Sequence, residues 1–237
     1  MTELFYMGWL GILAADYRIN VFWYISAIVV CAILSYLIGS LSFSIIISRK
    51  MFGDDIRNHG SSNAGATNML RTYGKKAAAL TFLGDFMKAV VAVLGTRLLC
   101  GFDAACVACL FCAIGHAFPC WFKFKGGKCA AVLCASILCI DIWTFLICMT
   151  IFTVILLFTK YVSLASIFSA FMGPIVFYNS VKLNSAAGHG SYGVVCVFLA
   201  CMLLIFLHRE NIKRLRNGTE SKIGSSKAKQ SDEKKEN

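Results

Sequence analysis

Residues 129–159 read CAAVLCASILCIDIWTFLICMTIFTVILLFT, and this apolar segment decides how many helices the chain forms. It has 31 residues, so one straight helix with a rise of roughly 1.5 Å per residue would exceed the hydrocarbon thickness of a bilayer, about 30 Å. Asp141 stands inside it. The segment is therefore expected either to tilt strongly or to break into two short helices near Asp141.

The rest of the chain is also apolar. Hydrophobic residues make up 58% of the 237 residues and charged residues 15%, which is too little polar surface to cover a soluble globule. Most of the other apolar runs reach the length of roughly 20 residues that spans a bilayer as a helix. The sequence therefore predicts an all-α integral membrane protein. These runs are residues 21–48, 77–101, 104–122, 161–181 and 192–207.

Charge placement predicts the topology, because loops with an excess of Lys and Arg stay in the cytoplasm. Residues 49–76 carry six such side chains, residues 123–128 three, and residues 208–237 nine against five acids. If all three segments lie on one side, an even number of crossings separates each pair, so residues 129–159 must form two helices. This predicts a bundle of about seven transmembrane helices with the N-terminus outside and the C-terminus cytoplasmic.

The ends of the chain differ from this membrane domain, residues 21–217. Residues 1–20 carry Glu3 where a signal peptide carries positive charge, so we expect an outer N-terminal extension. Residues 218–237 are rich in Lys, Ser and Glu and are expected to form a disordered cytoplasmic tail. The net charge of +11 lies beside the apolar ends, which favours an anionic membrane surface over nucleic acid as the partner.

The twelve cysteines lie within or at the edges of apolar segments, where cysteine behaves as a small hydrophobe. Neither a disulfide nor a metal site is implied.

The first polar region, residues 39–76, offers backbone N–H, amide, hydroxyl and guanidinium donors of the kind that hold a phosphate. Ser40 and Arg49 belong to the helix end that precedes the loop, although a helical serine more often bonds back to a carbonyl of the preceding turn. Arg57 and Arg71 flank the loop, and an ordinary polar loop is the alternative. Its candidate binding residues are Gly60, Ser61, Asn63, Gly65, Thr67 and Asn68.

The second polar region holds Gly126, Gly127 and Lys128. Paired glycines and a lysine at a helix start can form an anion-binding nest, because the helix N-terminus adds free N–H groups and partial positive charge. The alternative is a positively charged cytoplasmic turn.

Two further regions complete the predicted cytoplasmic face. Ser163 and Ser166 stand at a helix start, where either is also suited to an N-cap. His208 and Asn211 are three residues apart and share a helical face, with a solvated helix end as the alternative.

The sequence lacks a carboxylate pair, a GxSxG elbow and an HxxxxD motif, which argues against a classical nucleophile. Asp85 and Lys88, three apart in an apolar run, are expected to face the bundle interior. They either pair with each other or reach the site.

Across nearly all of residues 21–223 the sequence resembles the bacterial glycerol-3-phosphate acyltransferases that use acyl phosphate, the PlsY family. Several motifs match in the same order. They are Gly39-Ser40 through Arg49, FGDDIRNHGSSNAGATNMLRTYGKKAA, GHAFPCWFKFKGGK, YVSLAS and HRENIKRLRNGTESKI.

The resemblance implies a multi-pass enzyme of the bacterial inner membrane that moves an acyl group from acyl phosphate to the sn-1 hydroxyl of glycerol 3-phosphate. The products would be lysophosphatidic acid and phosphate, in the first membrane step of phospholipid synthesis. No coenzyme A, metal or other cofactor is implied, and a soluble acyltransferase that forms the acyl phosphate would be the upstream partner. The alternatives are a transporter of an organic phosphate and an inactive membrane scaffold.

The resemblance also suggests roles. Arg49 and Lys128 would hold the substrates' phosphates together with the glycine N–H groups, while Ser40, His208 and Asn211 would orient the attacking hydroxyl. A substrate phosphate would serve as the base.

Four positions depart from the family pattern. Ser42 and Ser44 stand where the family usually has Pro and Gly, and Ser62 and Cys129 each replace a glycine. If the backbone at Cys129 requires a positive φ, strain there costs roughly 1 kcal/mol or more.

Overall fold

The computed structural model describes residues 2–16, 20–184 and 191–223. Within these residues the regular structure is entirely helical, which confirms the predicted all-α class. The α-helices are α1 (Thr2–Ala15), α2 (Val21–Gly39), α3 (Phe43–Phe52), α4 (Ala66–Cys100), α5 (Phe102–Ala117), α6 (Ala130–Ile140), α7 (Ile142–Thr159), α8 (Val162–Asn184), α9 (Ser191–Leu207) and α10 (Arg209–Arg216).

The long apolar segment breaks at Asp141, as expected. Asp141 has extended backbone angles, and its carboxylate accepts a hydrogen bond of 2.8 Å from the N–H of Thr144, which caps α7. Arg97 of α4 donates to the carbonyl oxygens of Cys139 and Ile140 at 2.5 and 2.8 Å, so the free carbonyls at the end of α6 are also satisfied. The break is stable in an apolar setting because both exposed helix ends have partners.

Helices α2 and α5 cross closely, and glycines make the crossing possible. A Cβ at Gly39 would collide with the backbone of Cys112, and a Cβ at Gly115 with the carbonyl of Tyr36. Small residues at such crossings let two helix backbones approach and gain van der Waals contact, which is the main attraction between helices in lipid. This crossing places the end of α2 against the end of α5, beside the loop that leads to α6.

The apolar helices match a membrane protein in length. Among the residues that the structure describes, five helical segments are long and apolar enough to cross a bilayer, and a sixth results if α9 and α10, which meet at 51°, form one bent span. Helix α6 is apolar but shorter. The predicted count of seven and the predicted sidedness therefore remain predictions. The five segments are Val21–Phe52, Ala66–Cys100, Phe102–Phe122, Ile142–Thr159 and Val162–Leu183.

The folded region extends further towards the C-terminus than the sequence predicted. Glu220 is buried, and the N–H of Ile223 donates to the carbonyl of Lys160 at 2.9 Å. Disorder from residue 218 onwards was therefore a wrong prediction for residues 218–223, because they find polar partners at the start of α8. Residues 224–237 of the predicted tail lie outside the described residues.

At the other end, α1 packs against α4, and a Cβ at Gly8 would collide with the backbone of Cys100 and Gly101. An outer location for residues 1–20 stays a prediction.

Two of the departures from the family pattern occupy left-handed backbone positions. Ser62 has φ 55° and Cys129 has φ 64°, a region that costs a residue with a Cβ roughly 1–2 kcal/mol. The condition for strain at Cys129 is therefore met. Cys129 is also fully buried, and its thiol donates to the carbonyl of Ala113 at 3.2 Å, which offsets part of that cost.

We expect Ser62→Gly to stabilise the protein. Glycine relieves the left-handed strain, but it also gives the unfolded chain more conformational freedom, which offsets part of this stabilisation. The net rise in the free energy of unfolding is therefore up to about 1 kcal/mol. Thermal unfolding in detergent measures it. Ser61→Gly is the control: this neighbouring serine is also exposed but is not among the positive-φ residues, so its replacement should lower stability slightly. Equal effects of the two substitutions would contradict the strain argument.

Candidate active site

A cavity of about 350 Å³ lies inside the bundle and has a polar part and an apolar part. The polar part is lined where α4, α6 and α8 begin and where α9 ends. The apolar part continues between α6, α7, α8 and α9. Gly173 lines the cavity ten residues after Ser163 on α8, which at a helical rise of about 1.5 Å per residue places it roughly 15 Å deeper. The apolar lining includes Leu133, Cys134, Ile137, Phe145, Cys148, Met149, Phe152, Ala170, Cys201 and Leu204.

Three helix N-termini meet at the polar part, which for clarity is called the mouth. Ala66 of α4, Ala130 of α6 and Val162 of α8 are the first residues of their helices, and all three line the cavity. The first N–H groups of a helix have no intrahelical partner and carry about half a positive charge. Lys128 and Arg71 add full positive charges to the lining. The mouth is therefore suited to an anion such as a phosphate group.

Asn68 shapes the loop that forms one wall of the mouth. Its amide nitrogen donates to the carbonyl oxygens of Ile56, His59 and Asn63 at 3.2, 2.9 and 3.1 Å. Its amide oxygen accepts from the N–H of Ser61 at 3.0 Å. Although Asn68 lines the cavity, these bonds occupy its side chain, so its observed contribution is to fix the loop.

Lys128, Asn211 and Glu220 form a connected polar chain at the mouth. The Lys128 ammonium group donates to the amide oxygen of Asn211, and the Asn211 amide nitrogen donates to Glu220 Oε1 at 2.7 Å. Ser163 donates to the same carboxylate oxygen at 2.9 Å, and Arg214 Nε donates to Oε2 at 2.7 Å. The segment just before α6 and helices α8 and α10 are thereby joined around one buried carboxylate.

His208 lies at the bend between α9 and α10 and lines the cavity. Its Nδ1 is 2.8 Å from the carbonyl oxygen of Leu204. Because a carbonyl only accepts, Nδ1 carries the proton, and in the neutral ring Nε2 is left as an acceptor. The imidazole is therefore held in the tautomer that can accept a hydrogen bond from a substrate hydroxyl.

Most of the predicted site residues meet at this cavity. Ser166, which also lines it, donates its hydroxyl to the carbonyl of Val162 at 2.9 Å. The predicted residues in the lining are Ser61, Asn63, Gly65, Thr67, Asn68, Lys128, Ser163, Ser166, His208 and Asn211.

Ser40, Arg49 and Gly60 are not in the lining. Ser40 is fully buried; its hydroxyl donates to Tyr36 O at 2.9 Å and accepts from Cys120 N–H at 3.4 Å, so it closes the end of α2. Its position does not support the predicted orienting role. Arg49 is half-exposed and pairs with Asp55 at 2.8 Å. Gly60, with φ 55°, leaves room for the Asn68 side chain.

Gly126 and Gly127 are not in the lining, and the structure does not support the prediction that their N–H groups bind phosphate. These groups donate to the carbonyl oxygens of Ala117 and His116, both at 3.0 Å, and are thus already paired. The glycines are needed because a Cβ at either position would collide with His116. They bring the chain close to α5, so that Lys128 and the start of α6 reach the cavity.

Arg71 and Glu220 are charged lining residues that the predicted site did not include. The sequence showed Arg71 as a basic residue at the edge of the loop. Only the folded structure places it in the cavity lining, where its positive charge acts on Lys128. Nothing in the sequence indicated Glu220 as a site residue, because it stands in a charged stretch that resembles a disordered tail.

Asp85 and Lys88 were expected either to pair with each other or to reach the site, and the structure shows both. Their side chains are almost fully buried and pair at 2.8 Å, and Asp85 also lines the cavity. Lys88 donates to Leu41 O at 2.5 Å and to Nδ1 of His116 at 3.0 Å. The pair therefore ties α4 to the α2–α3 connection and to α5.

The bundle and its cavity define a class: a membrane protein whose internal site suits an amphiphile with an anionic group. Residues 29–218 match the family model for glycerol-3-phosphate acyltransferase. The chain is 40% identical to the glycerol-3-phosphate acyltransferase of Clostridioides difficile (strain 630), covering 84% of this chain and 97% of the relative. For the Bordetella pertussis enzyme of the same name, identity is 38%, covering 82% of this chain and 91% of the relative.

Solved structures agree with these relatives. PlsY, an integral membrane glycerol 3-phosphate acyltransferase, in its glycerol 3-phosphate form has a TM-score of 0.76 and 32% identity, covering 84% of this chain and 96% of that one. Its lysophosphatidic acid form has a TM-score of 0.73 and 30% identity, with the same coverage. The chain belongs to the glycerol-3-phosphate acyltransferase family. This membership favours the acyltransferase over the transporter alternative.

The electrostatics of Lys128 lead to a pH prediction. Burial, together with the positive charge of Arg214, lowers the pKa of Lys128 to about 8. The ammonium group attracts a phosphate only while it is protonated, so kcat/KM for glycerol 3-phosphate should fall as the pH rises through about 8. In Lys128→Arg this alkaline fall should move beyond the measurable range, because arginine keeps its charge.

Lys125→Arg is the matched control, since Lys125 is exposed and is not in the lining. It should keep the alkaline fall of the wild type. An unchanged fall in Lys128→Arg would show that another group causes it. Rates are corrected for spontaneous donor hydrolysis at each pH.

Proposed function

We propose that this protein transfers an acyl group from acyl phosphate to the sn-1 hydroxyl of glycerol 3-phosphate, with lysophosphatidic acid and phosphate as products. The observation that carries the proposal is the single cavity with a cationic mouth and an apolar interior. A product with a phosphate at one end and an acyl chain at the other is complementary to both parts. The likeness to PlsY in its lysophosphatidic acid form supports this match.

The mouth would hold the phosphate groups. Lys128 and Arg71 provide charge, and the N-termini of α4, α6 and α8 provide N–H groups that are fixed before the substrate arrives. Donors that are fixed in advance stabilise developing charge without further reorganisation, which is a large term in many enzymes. In the part of the chain that the structure describes, no hydrogen bond or ion pair engages the Arg71 guanidinium, so it is available to a substrate.

His208 would orient the acceptor. With the proton on Nδ1, Nε2 accepts a hydrogen bond from the glycerol hydroxyl and turns its oxygen towards the acyl carbonyl carbon. The hydroxyl oxygen attacks that carbon, the bond from the acyl carbon to the phosphate oxygen breaks, and the phosphate leaves. As the new bond forms, the hydroxyl proton leaves its hydrogen bond to Nε2 and passes to a phosphate oxygen, so no protein group has to be a strong base.

The three serine hydroxyls that α8 contributes to the lining support direct transfer without an acyl-enzyme. Ser163 donates to Glu220, Ser166 to the carbonyl of Val162, and Ser169 to that of Cys148 at 3.0 Å. A serine nucleophile needs a base that takes its proton, and these hydroxyls donate elsewhere. An acyl phosphate is a mixed anhydride with a good leaving group, so orientation and charge stabilisation can supply the catalysis.

The proposed donor implies an upstream enzyme. An acyl phosphate must be formed by another enzyme, and we assign this step to a soluble acyl-phosphate-forming acyltransferase.

The apolar helices and the bacterial relatives support the bacterial inner membrane as the location, with the basic mouth on the cytoplasmic side.

A donor comparison tests the proposal. The purified protein in lipid or detergent receives glycerol 3-phosphate with acyl phosphate, or with acyl-CoA as the control donor. We expect phosphate release that depends on glycerol 3-phosphate and matches the amount of lysophosphatidic acid formed. Transfer from acyl-CoA alone would overturn the donor assignment, and folded protein without turnover would favour the inactive scaffold.

His208→Ala should lower kcat by about 100-fold, at the lower end of the range for a positioned group that interacts with a reacting proton. His59→Ala is the control, because His59 is paired with Asp54 at 2.6 Å and is not in the cavity lining. It should keep nearly the wild-type kcat. Near-normal turnover in His208→Ala would show that the imidazole does not orient the hydroxyl.

A further inference from the structure

Glu220 is an unexpected residue at a site for phosphates. Its carboxylate is negative, lines the cavity and is only 7% exposed, so it repels the anions that the mouth is suited to bind. A buried charge is costly unless it is paired and hydrogen-bonded. The contacts of Glu220 must therefore stabilise the site by more free energy than this repulsion costs.

The bonds of Glu220 determine which way the Asn211 amide faces. An amide has one donating and one accepting end, and a carboxylate accepts only. Glu220 therefore holds the NH₂ end of Asn211, which leaves the amide oxygen facing Lys128. If the amide were reversed, its NH₂ group would face the ammonium group, and two donors would oppose each other.

The segment that carries Glu220 is itself anchored. The N–H of Thr219 donates to Arg214 O at 2.9 Å, and Gly218 turns the chain with φ 68°. Further along, Ile223 N–H donates to Lys160 O, and the Lys222 ammonium group lies 5.4 Å from the centre of the Tyr161 ring. These contacts hold the carboxylate between α10 and the start of α8.

We propose that Glu220 is a positioning residue that orients the Asn211 amide and through it places the Lys128 ammonium group at the mouth. The proposal deepens the proposed function, since it assigns Asn211 to the placement of Lys128. The predicted role of Asn211 in orienting the glycerol hydroxyl is replaced, because both ends of its amide are already engaged.

A role for Glu220 as the general base fits the geometry less well. Burial acts to raise the pKa of its carboxyl, but hydrogen bonds from Arg214, Asn211 and Ser163 outweigh it and lower that pKa. A carboxylate that is stabilised in this way is a weak base. It also accepts from three protein donors on two helices, Ser163 of α8 and Asn211 and Arg214 of α10.

The test is Glu220→Gln, which keeps the shape and removes the charge. KM for glycerol 3-phosphate should rise about 10- to 100-fold, as for the loss of a hydrogen bond to a charged group. The alkaline fall of kcat/KM should also move to lower pH, because the negative charge of Glu220 favours protonated Lys128. The other charged or titratable groups that act on Lys128 are Arg71 of α4, Arg209 and Arg214 of α10, and His208.

Glu210→Gln is the matched control. Glu210 also lies near the end of the chain, on α10, but it is exposed and pairs with Lys213 at 3.2 Å. Neither KM nor the pH profile should change in this variant. A wild-type KM and pH profile in folded Glu220→Gln would overturn the proposal.

Asn211→Ala gives a second route if Glu220→Gln does not fold, since it interrupts the same chain of bonds and leaves the carboxylate in place. Its KM should rise to a similar extent, and the double variant should be no worse than either single one. Additive effects would overturn the proposal. Binding of glycerol 3-phosphate is also measured by calorimetry, so the test stays readable if acyl phosphate is not the donor.

Discussion

The buried Lys88 ammonium group is the point on which the arrangement of the site depends. It pairs with Asp85 on its own helix and donates to Leu41 between α2 and α3 and to His116 on α5. The carbonyl of His116 in turn receives the N–H of Gly127, which fixes where the chain enters α6. Removal of one partner of such a buried pair typically costs about 3–5 kcal/mol, because the other charge is left uncompensated. The position of Lys128, one residue further, is thus set by contacts outside the mouth.

The mouth combines charges that would repel one another if each stood alone. Arg71, Arg209 and Arg214 all act on Lys128, and the helix N-termini add further positive potential. Glu220 is the carboxylate that interacts with this group, and it pairs with Arg214 at 2.7 Å. One negative charge leaves this group of side chains positive overall.

Two positions show how the loops of the mouth accept a conformational cost. Ser62 and Cys129 both have left-handed backbone angles, and each stands where the family pattern has glycine. Ser62 is in the loop that Asn68 holds, and Cys129 immediately precedes α6. Surrounding hydrogen bonds maintain these angles, because strained residues persist only where their neighbours determine the conformation. The strain lies beside the mouth, where the backbone must turn sharply to present helix N-termini.

The sequence by itself determined the class and most of the elements. Apolar runs of about 20 residues indicate membrane spans, and the even number of crossings required between the basic loops indicates a break near Asp141 in the longest run. The motifs also identified Lys128 and His208, because lysine beside paired glycines and a histidine at a helix end are local patterns. These properties depend on neighbours in sequence.

Only the tertiary structure decided which donors are free and which are already used. Gly126 and Gly127 look like phosphate ligands in the sequence, yet their N–H groups donate to carbonyls of α5. Ser40 looks like a site hydroxyl, yet it is buried and accepts a hydrogen bond from the N–H of Cys120. Glu220 looks like part of a tail, yet it joins Ser163, Asn211 and Arg214. Each outcome depends on a partner far away in the sequence or on another helix. Hydrogen-bond capacity is limited, and its use is settled only when the helices have packed.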